Sequence, residues 1–153
     1  MSELEEFSSI LKEAAEWLIN NEREMWDPNQ FTIEKLLKNN VIDEMFIGFI
    51  NNESAVAMIL QEEDPIFWSD PTPSLYLHKL AIRRKYAQKG LSQQMISWAK
   101  LRAKQHNKNY LRLDCAADRP KLCNFYEKQG FIKVRDEVMF GKYPTSFYEI
   151  EII

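Results

Sequence analysis

Apolar residues recur at steps of three and four along the first segment: Phe7, Ile10, Leu11, Ala14, Trp17 and Leu18. That spacing stacks them on one face of a helix. Ser2 with Glu5 reads as a capping box at its start. Asp27-Pro28-Asn29 reads as its end, because the residue before a proline avoids helical geometry. A short second helix follows, with Thr32 as cap, Phe31 in the staple position, Leu36 and Leu37 facing inward, and Asn39-Asn40 as the stop. The period then changes. Met45 to Ile50 and Ala55 to Gln61 are apolar runs separated by Asn51-Asn52-Glu53-Ser54, the signature of a hairpin.

Glu62 to Ser74 has neither period. It carries Pro65, Pro71 and Pro73, which exclude a central strand or a helix interior, together with Phe67 and Trp68. Aromatics on such a loop either line a pocket or tuck back onto the core. Leu75 to Ile82 is a strand, residues 83–90 a basic turn, and Leu91 to His106 an amphipathic helix with Leu91, Met95, Ile96, Ala99 and Ala103 on one side. Tyr110 to Ala116 is a further strand, with Leu111, Leu113 and Cys115 on one face and Arg112 and Asp114 on the other. Lys121 to Gln129 is a short helix closed by Gly130. Phe131 to Phe140 and Ser146 to Ile153 are the last strands, joined by a turn around Gly141 and Pro144. The order ααβββαβαββ predicts a mixed α/β fold, and the β-α-β unit over residues 75–116 predicts a parallel pair with a right-handed crossover.

Composition narrows the classes. A length of 153 residues fits one domain, 1–153, with a core that needs no disulfide staples. At 45% hydrophobic the chain is too apolar to be disordered, yet no apolar run approaches the ~20 residues of a membrane span. The acidic start MSELEEFSSI lacks the apolar core of a signal peptide, so the expected location is cytoplasmic. The net charge of −3 argues against a nucleic-acid partner, because such binding rests on neutralising phosphates. Cys115 and Cys123 have no metal-ligand spacing and read as reduced thiols.

Chemistry concentrates in two places. The first is the strand–basic turn–helix at Arg83 to Ser92. A helix N-terminus offers unpaired N–H groups and partial positive charge, and Gly90 lets a ligand approach the backbone, so this end suits phosphate or pyrophosphate. Taken alone, a basic turn with a glycine is usually just solvated. It is neither a Walker A loop nor a dinucleotide fingerprint, because the second glycine and the G-x-G-x-x-G order are missing. The second is Asn124-Phe125-Tyr126-Glu127-Lys128-Gln129-Gly130-Phe131, where Tyr126 is by itself an ordinary core tyrosine with its hydroxyl at the surface.

Together the blocks LHKLAIRRKYAQKGLSQQM and LRLDCAADRPKLCNFYEKQGFIKV resemble the GNAT family of acetyl-coenzyme-A-dependent N-acetyltransferases, closely over residues 75–135 and in element order over the whole chain. The resemblance implies acetyl-coenzyme A as cosubstrate and a primary amine, on a small molecule or a peptide, as acceptor. It places the phosphate loop on Ala87, Gln88, Lys89, Gly90, Leu91 and Ser92, with Ala87 where Gln or Arg is usual and Ser92 where Gly or Ala is usual; Arg83, Arg84 or Lys85 would compensate. It assigns Leu80, Ala81 and Ile82 to the pantetheine arm, the Ile82 N–H to the thioester oxygen, Arg119 to a cofactor position usually held by asparagine, and Tyr126 to the general acid.

The attacking amine must also lose a proton. Alternation along the strand puts Tyr76, His78, Leu80 and Ile82 on one face, which nominates His78 as base, with Glu62, Glu63 or Asp64 as alternatives through water. Phe67 and Trp68 are the candidate acceptor wall. Two functions stay open: an N-acetyltransferase, or a module that binds acetyl-coenzyme A without turnover, which the departures at Ala87 and Arg119 would suit. The last strands offer an edge for a homodimer.

Overall fold

Ser2 accepts a hydrogen bond from the Glu5 N–H at 3.1 Å and starts helix α1, Glu3–Asn20, in the computed structural model, which describes residues 2–153. Glu3, Glu5 and Glu6 in its first turn complement the helix dipole. The helix ends well before Pro28. Asn21 Nδ2 donates to the Trp17 carbonyl at 2.8 Å and Glu22 turns left-handed at φ 56°, so a side-chain cap ends the helix before proline can. Helix α2, Ile33–Asn39, is capped by Thr32, as its sequence predicts. Only Leu36 faces inward; Leu37 is exposed, because successive residues on a helix point about 100° apart.

Among the described residues, four α-helices and six strands follow the order ααβββαβαββ. They fall into two compact units: residues up to Leu60 with Lys79–Ile96, and Gln61–His78 with Ser97–Ile153. In the first unit, β1, Met45–Ile50, pairs antiparallel with β2, Glu53–Gln61. The connection is tighter than the four residues expected. Asn51 and Asn52 are both left-handed, at φ 48° and 68°, which makes a two-residue hairpin turn that suits asparagine. Gly48 sits at a register shift where a Cβ would run into Val56. The core joins Phe7, Ile10 and Leu11 of α1 to Phe31, Leu36, Ala57, Ile59 and Ala81.

Strand β3, Ser74–Ile82, has one irregular position. Lys79 takes φ 53° in mid-strand. A left-handed residue there is a bulge, and it breaks the two-residue alternation.

In the second unit the start of β3 runs parallel to β4, Tyr110–Ala116, with Ser74 opposite Tyr110, Leu75 opposite Leu111 and Tyr76 opposite Arg112. Strand β6, Tyr143–Glu151, pairs antiparallel with β4, and β5, Ile132–Met139, with β6, giving the order β3-β4-β6-β5. Phe140 and Gly141 are left-handed and make the last turn, while Pro144 lies inside β6 opposite Val138 rather than in the turn. Helix α3, Leu91–Gln105, buries Ile96, Ala99 and Ala103. Helix α4, Pro120–Lys128, is followed by Gly130 at φ 97°.

The proline-rich loop is pinned by a buried cation. Arg112 grips Asp70 through both Nη atoms, at 2.8 and 3.0 Å, and donates to Glu149 from Nε at 2.9 Å. Its guanidinium lies 4.5 Å from the centre of the Trp68 ring. The hydrogen bonds from Arg112 hold the Asp70 carboxyl below the usual carboxylate range. Arg112→Leu strands two carboxylates. Because both are partly open to water, the expected loss is about 3 kcal/mol, read by urea unfolding. The folded pKa of Asp70 lies below its unfolded value, so this contribution is complete above about pH 4 and is lost as pH falls further. Stability of the wild type should drop in that window more steeply than that of the variant.

Candidate functional site

The basic turn of the first unit is held from behind. Arg83 donates from Nε to the Ser54 carbonyl at 2.9 Å, from Nη1 to Ser9 Oγ at 3.1 Å and Glu13 Oε1 at 3.3 Å, and from Nη2 to Ser54 Oγ at 3.1 Å. The Arg84 N–H donates to Glu13 Oε2 at 2.7 Å while its guanidinium covers the Trp17 ring at 3.8 Å. Lys85 pairs with Glu53 at 2.9 Å, and the Tyr86 hydroxyl also donates to Glu53, whose carboxyl these partners hold below the usual range. The expectation that Arg83, Arg84 or Lys85 stands in for the missing Gln or Arg at Ala87 is therefore corrected: Glu13 and Glu53 hold Arg83 and Lys85, and the Arg84 guanidinium lies on the Trp17 ring.

What remains at the ligand side is main chain. Gln88 at φ 61° and Gly90 at φ 78° are left-handed on either side of Lys89, immediately before α3. Alternating handedness of this kind turns successive N–H groups into one concavity, and the first turn of α3, with Leu91 and Ser92, adds N–H groups that have no partner within the helix. A Cβ built on Gly90 meets no atom within 4 Å. The space above the loop is open, and the backbone there fits a diphosphate. On the preceding strand, Ala81 is buried in the core, Leu80 and Ile82 are half-buried, and the Arg83 N–H bonds the Ala55 carbonyl at 2.8 Å.

The second unit gathers the titratable groups. His78 Nε2 stands 3.5 Å from Asp64 Oδ2, and with Asp114 these residues place their ligand atoms within 4.8 Å of one another. Asp64 comes from the proline-rich loop, folded there by a hydrogen bond from the Trp68 N–H to the Asp64 carbonyl at 2.8 Å. Burial pushes the Asp64 carboxyl up, against a smaller opposing effect of the Phe67 N–H. Its Oδ2 is buried with no hydrogen-bond partner. Asp114 lies two residues beyond Arg112, the register partner of Tyr76, on the strand beside β3.

Tyr126, on α4, is 8% exposed, with its ring packed edge-on against Phe125 and Phe131. Burial raises its pKa most, and the charges of Cys115 and Asp114 raise it further. The phenol thus keeps its proton throughout the neutral range. Cys115 and Cys123 are free buried thiols with sulfurs 3.7 Å apart, and burial pushes the Cys115 thiol up, which suits packing rather than attack. Arg119 is the N-cap residue of α4, its Nε 3.9 Å from Asp118.

Trp68 is a correction. At 4% exposure it packs between Tyr76 and Phe147, so it belongs to the core and not to an acceptor wall. Phe67 is half-buried against Phe140 and Phe147. The sequence reading named His78 and Asp64 but missed Asp114 beside them. The one available signal was the parallel register of β3 and β4, which a β-α-β pattern implies but does not number.

Residues 5–131 match the model of the acetyltransferase (GNAT) family. A Bacillus subtilis (strain 168) protein described as an uncharacterized N-acetyltransferase, YesJ, is 31% identical over 142 residues, which is 83% of this chain and 75% of that protein. Among solved structures, a GNAT-family acetyltransferase of Listeria monocytogenes shares the fold at TM-score 0.81 and 21% identity, over 97% of this chain and 88% of its own. The PaiA N-acetyltransferase of Thermoplasma acidophilum, solved in complex with coenzyme A, does so at TM-score 0.70 and 17% identity, over 97% and 92%. The chain belongs to the GNAT acetyltransferase family, as the resemblance over residues 75–135 implied. No helix among the described residues is long and apolar enough to cross a membrane.

Proposed function

We propose that this protein transfers the acetyl group of acetyl-coenzyme A to a primary amine, by direct attack. The observation that carries this reading is the left-handed Gly90 opening α3 with free space above it, in a chain of this family. The N–H groups of residues 88–92 would hold the diphosphate, Leu80 to Ile82 the pantetheine arm, and the Ile82 N–H would stabilise the oxyanion. When bound, acetyl-coenzyme A supplies an activated thioester carbonyl. In the net reaction the amine nitrogen bonds the acetyl carbon, the carbon–sulfur bond breaks, and the ammonium gives up two protons, one ending on sulfur and one in solvent.

The chain's own groups manage those protons. His78 takes one from the ammonium, since a free alkyl amine is scarce near pH 7 when its pKa is about 10.4. Tyr126 gives its phenol proton to the leaving sulfur and regains one from solvent or the reacting nitrogen. The test is thiol release from acetyl-coenzyme A across a panel of primary amines, with mass detection of the acetylated product. Release that depends on the amine is expected. Tight coenzyme A binding with no product from any amine would replace this reading by a binding module.

A further inference from the structure

Asp64, His78 and Asp114 all belong to the second unit, one from the proline-rich loop, one from β3 and one from β4. The loop residue is held from two sides. Its carbonyl accepts from the Trp68 N–H at 2.8 Å, and Arg112 pins the loop through Asp70. Its carboxylate is poorly matched to its surroundings. The Phe67 N–H serves the group, yet Oδ2 is buried with no hydrogen-bond partner, and a buried anionic oxygen without one is costly. His78 Nε2 stands 3.5 Å from that oxygen, too far for a good hydrogen bond. It is the separation of two ligands on one metal ion. Tetrahedral zinc bonds imidazole nitrogen and carboxylate oxygen at about 2.0–2.2 Å, which spaces its ligands roughly 3.3–3.6 Å apart. Asp114 lies within 4.8 Å of both, so its side chain has to close by no more than about 1.3 Å.

We propose that Asp64, His78 and Asp114 bind one zinc ion, and that zinc held there silences the enzyme by occupying the lone pair of its base. The metal site stands on the three side chains; the silencing rests on the transferase reading, with His78 as base. The donor set selects the ion. An imidazole beside two carboxylates suits zinc over magnesium and calcium, which prefer oxygen alone. Two carboxylates and a neutral imidazole bring zinc to net charge zero, which favours it in a half-buried place. Three protein ligands leave the fourth position to water. Coordination uses the Nε2 lone pair, the same pair with which His78 would take a proton from the ammonium. Among the described residues no other three His, Cys, Asp or Glu side chains gather this closely. Cys115 and Cys123, with sulfurs 3.7 Å apart, are the rival pair, but burial keeps the Cys115 thiol protonated.

Zinc binding can be read without turnover. Calorimetric titration of the protein, first stripped with a chelator and dialysed, should show one equivalent of zinc bound, and excess zinc should raise the thermal midpoint. Asp64→Asn, His78→Gln and Asp114→Asn should each weaken zinc tenfold or more. Asp64→Asn keeps the size of the side chain and no longer buries a charge, so its metal-free thermal midpoint stays level or rises, which separates lost ligation from lost folding. Cys115→Ala with Cys123→Ala should leave zinc affinity unchanged. No uptake, uptake indifferent to the three ligand substitutions, or uptake abolished in the folded cysteine variant overturns the site. The kinetic half is separate. Saturating zinc should cut the initial rate of acetyl transfer tenfold or more, read by mass detection of the product, and a chelator should restore it. Zinc bound by these ligands with transfer undiminished keeps the site and overturns the silencing. Zinc bound by these ligands in a protein whose metal-free form acetylates no amine keeps the site and overturns the transferase reading.

Discussion

On the proposed mechanism, replacing Tyr126 by phenylalanine should lower kcat at least tenfold and leave acetyl-coenzyme A affinity nearly unchanged. The size follows from the role, since a proton donor placed on a leaving group is typically worth about 10²–10⁴ in rate. The selectivity follows from the packing. The ring of Tyr126 lies edge-on to Phe125 and Phe131, and phenylalanine keeps those contacts, so the fold should hold while one oxygen is lost. Burial keeps the phenol protonated in the neutral range, so the donor form dominates wherever the enzyme is assayed. Steady-state kinetics with an accepted amine, beside a binding isotherm for coenzyme A, gives the measurement. An unchanged kcat would remove Tyr126 as the acid.

Gly90→Asp is the second large effect and falls on binding. Gly90 holds φ 78°, where a side chain costs about 1 kcal/mol or more, and the new carboxylate would sit in the concavity meant for phosphates. Acetyl-coenzyme A should bind about a hundredfold more weakly, chiefly through repulsion between the new carboxylate and the phosphates. Gly90→Ala separates the two, because it carries the strain and not the charge. No atom lies within 4 Å of the added Cβ, so both variants should fold. Calorimetric titration with coenzyme A checks the pair, and equal affinity in Gly90→Asp would mean that the loop is misassigned.

These positions were legible in the sequence for a shared reason: each depends on local chain chemistry. A glycine before an amphipathic helix announces the left-handed turn at Gly90, and Phe-Tyr-Glu-Lys-Gln-Gly-Phe announces α4 with its stop. Strand and helix types were likewise legible, because each period belongs to its own segment. What failed depended on partners distant along the chain. Nothing near Lys79 in sequence says that β3 takes a left-handed residue there. Arg83, Arg84 and Lys85 look like a phosphate-binding cluster until Glu13 and Glu53 are seen to hold them. Trp68 looked available for a ligand until Tyr76 and Phe147 enclosed it. The end of α1 was misjudged through rank: proline is the stronger helix breaker, but Asn21 comes first.

The grip of Glu13 on Arg83 and Arg84 ties the amino-terminal helix to the basic turn ahead of the proposed phosphate loop. A shortened chain that begins beyond α1, or a fusion that unwinds its second turn, would slacken that loop although it touches no ligand. On the proposed reading, coenzyme A affinity would depend in part on α1, and trimming at the amino terminus would mimic a cofactor-site defect.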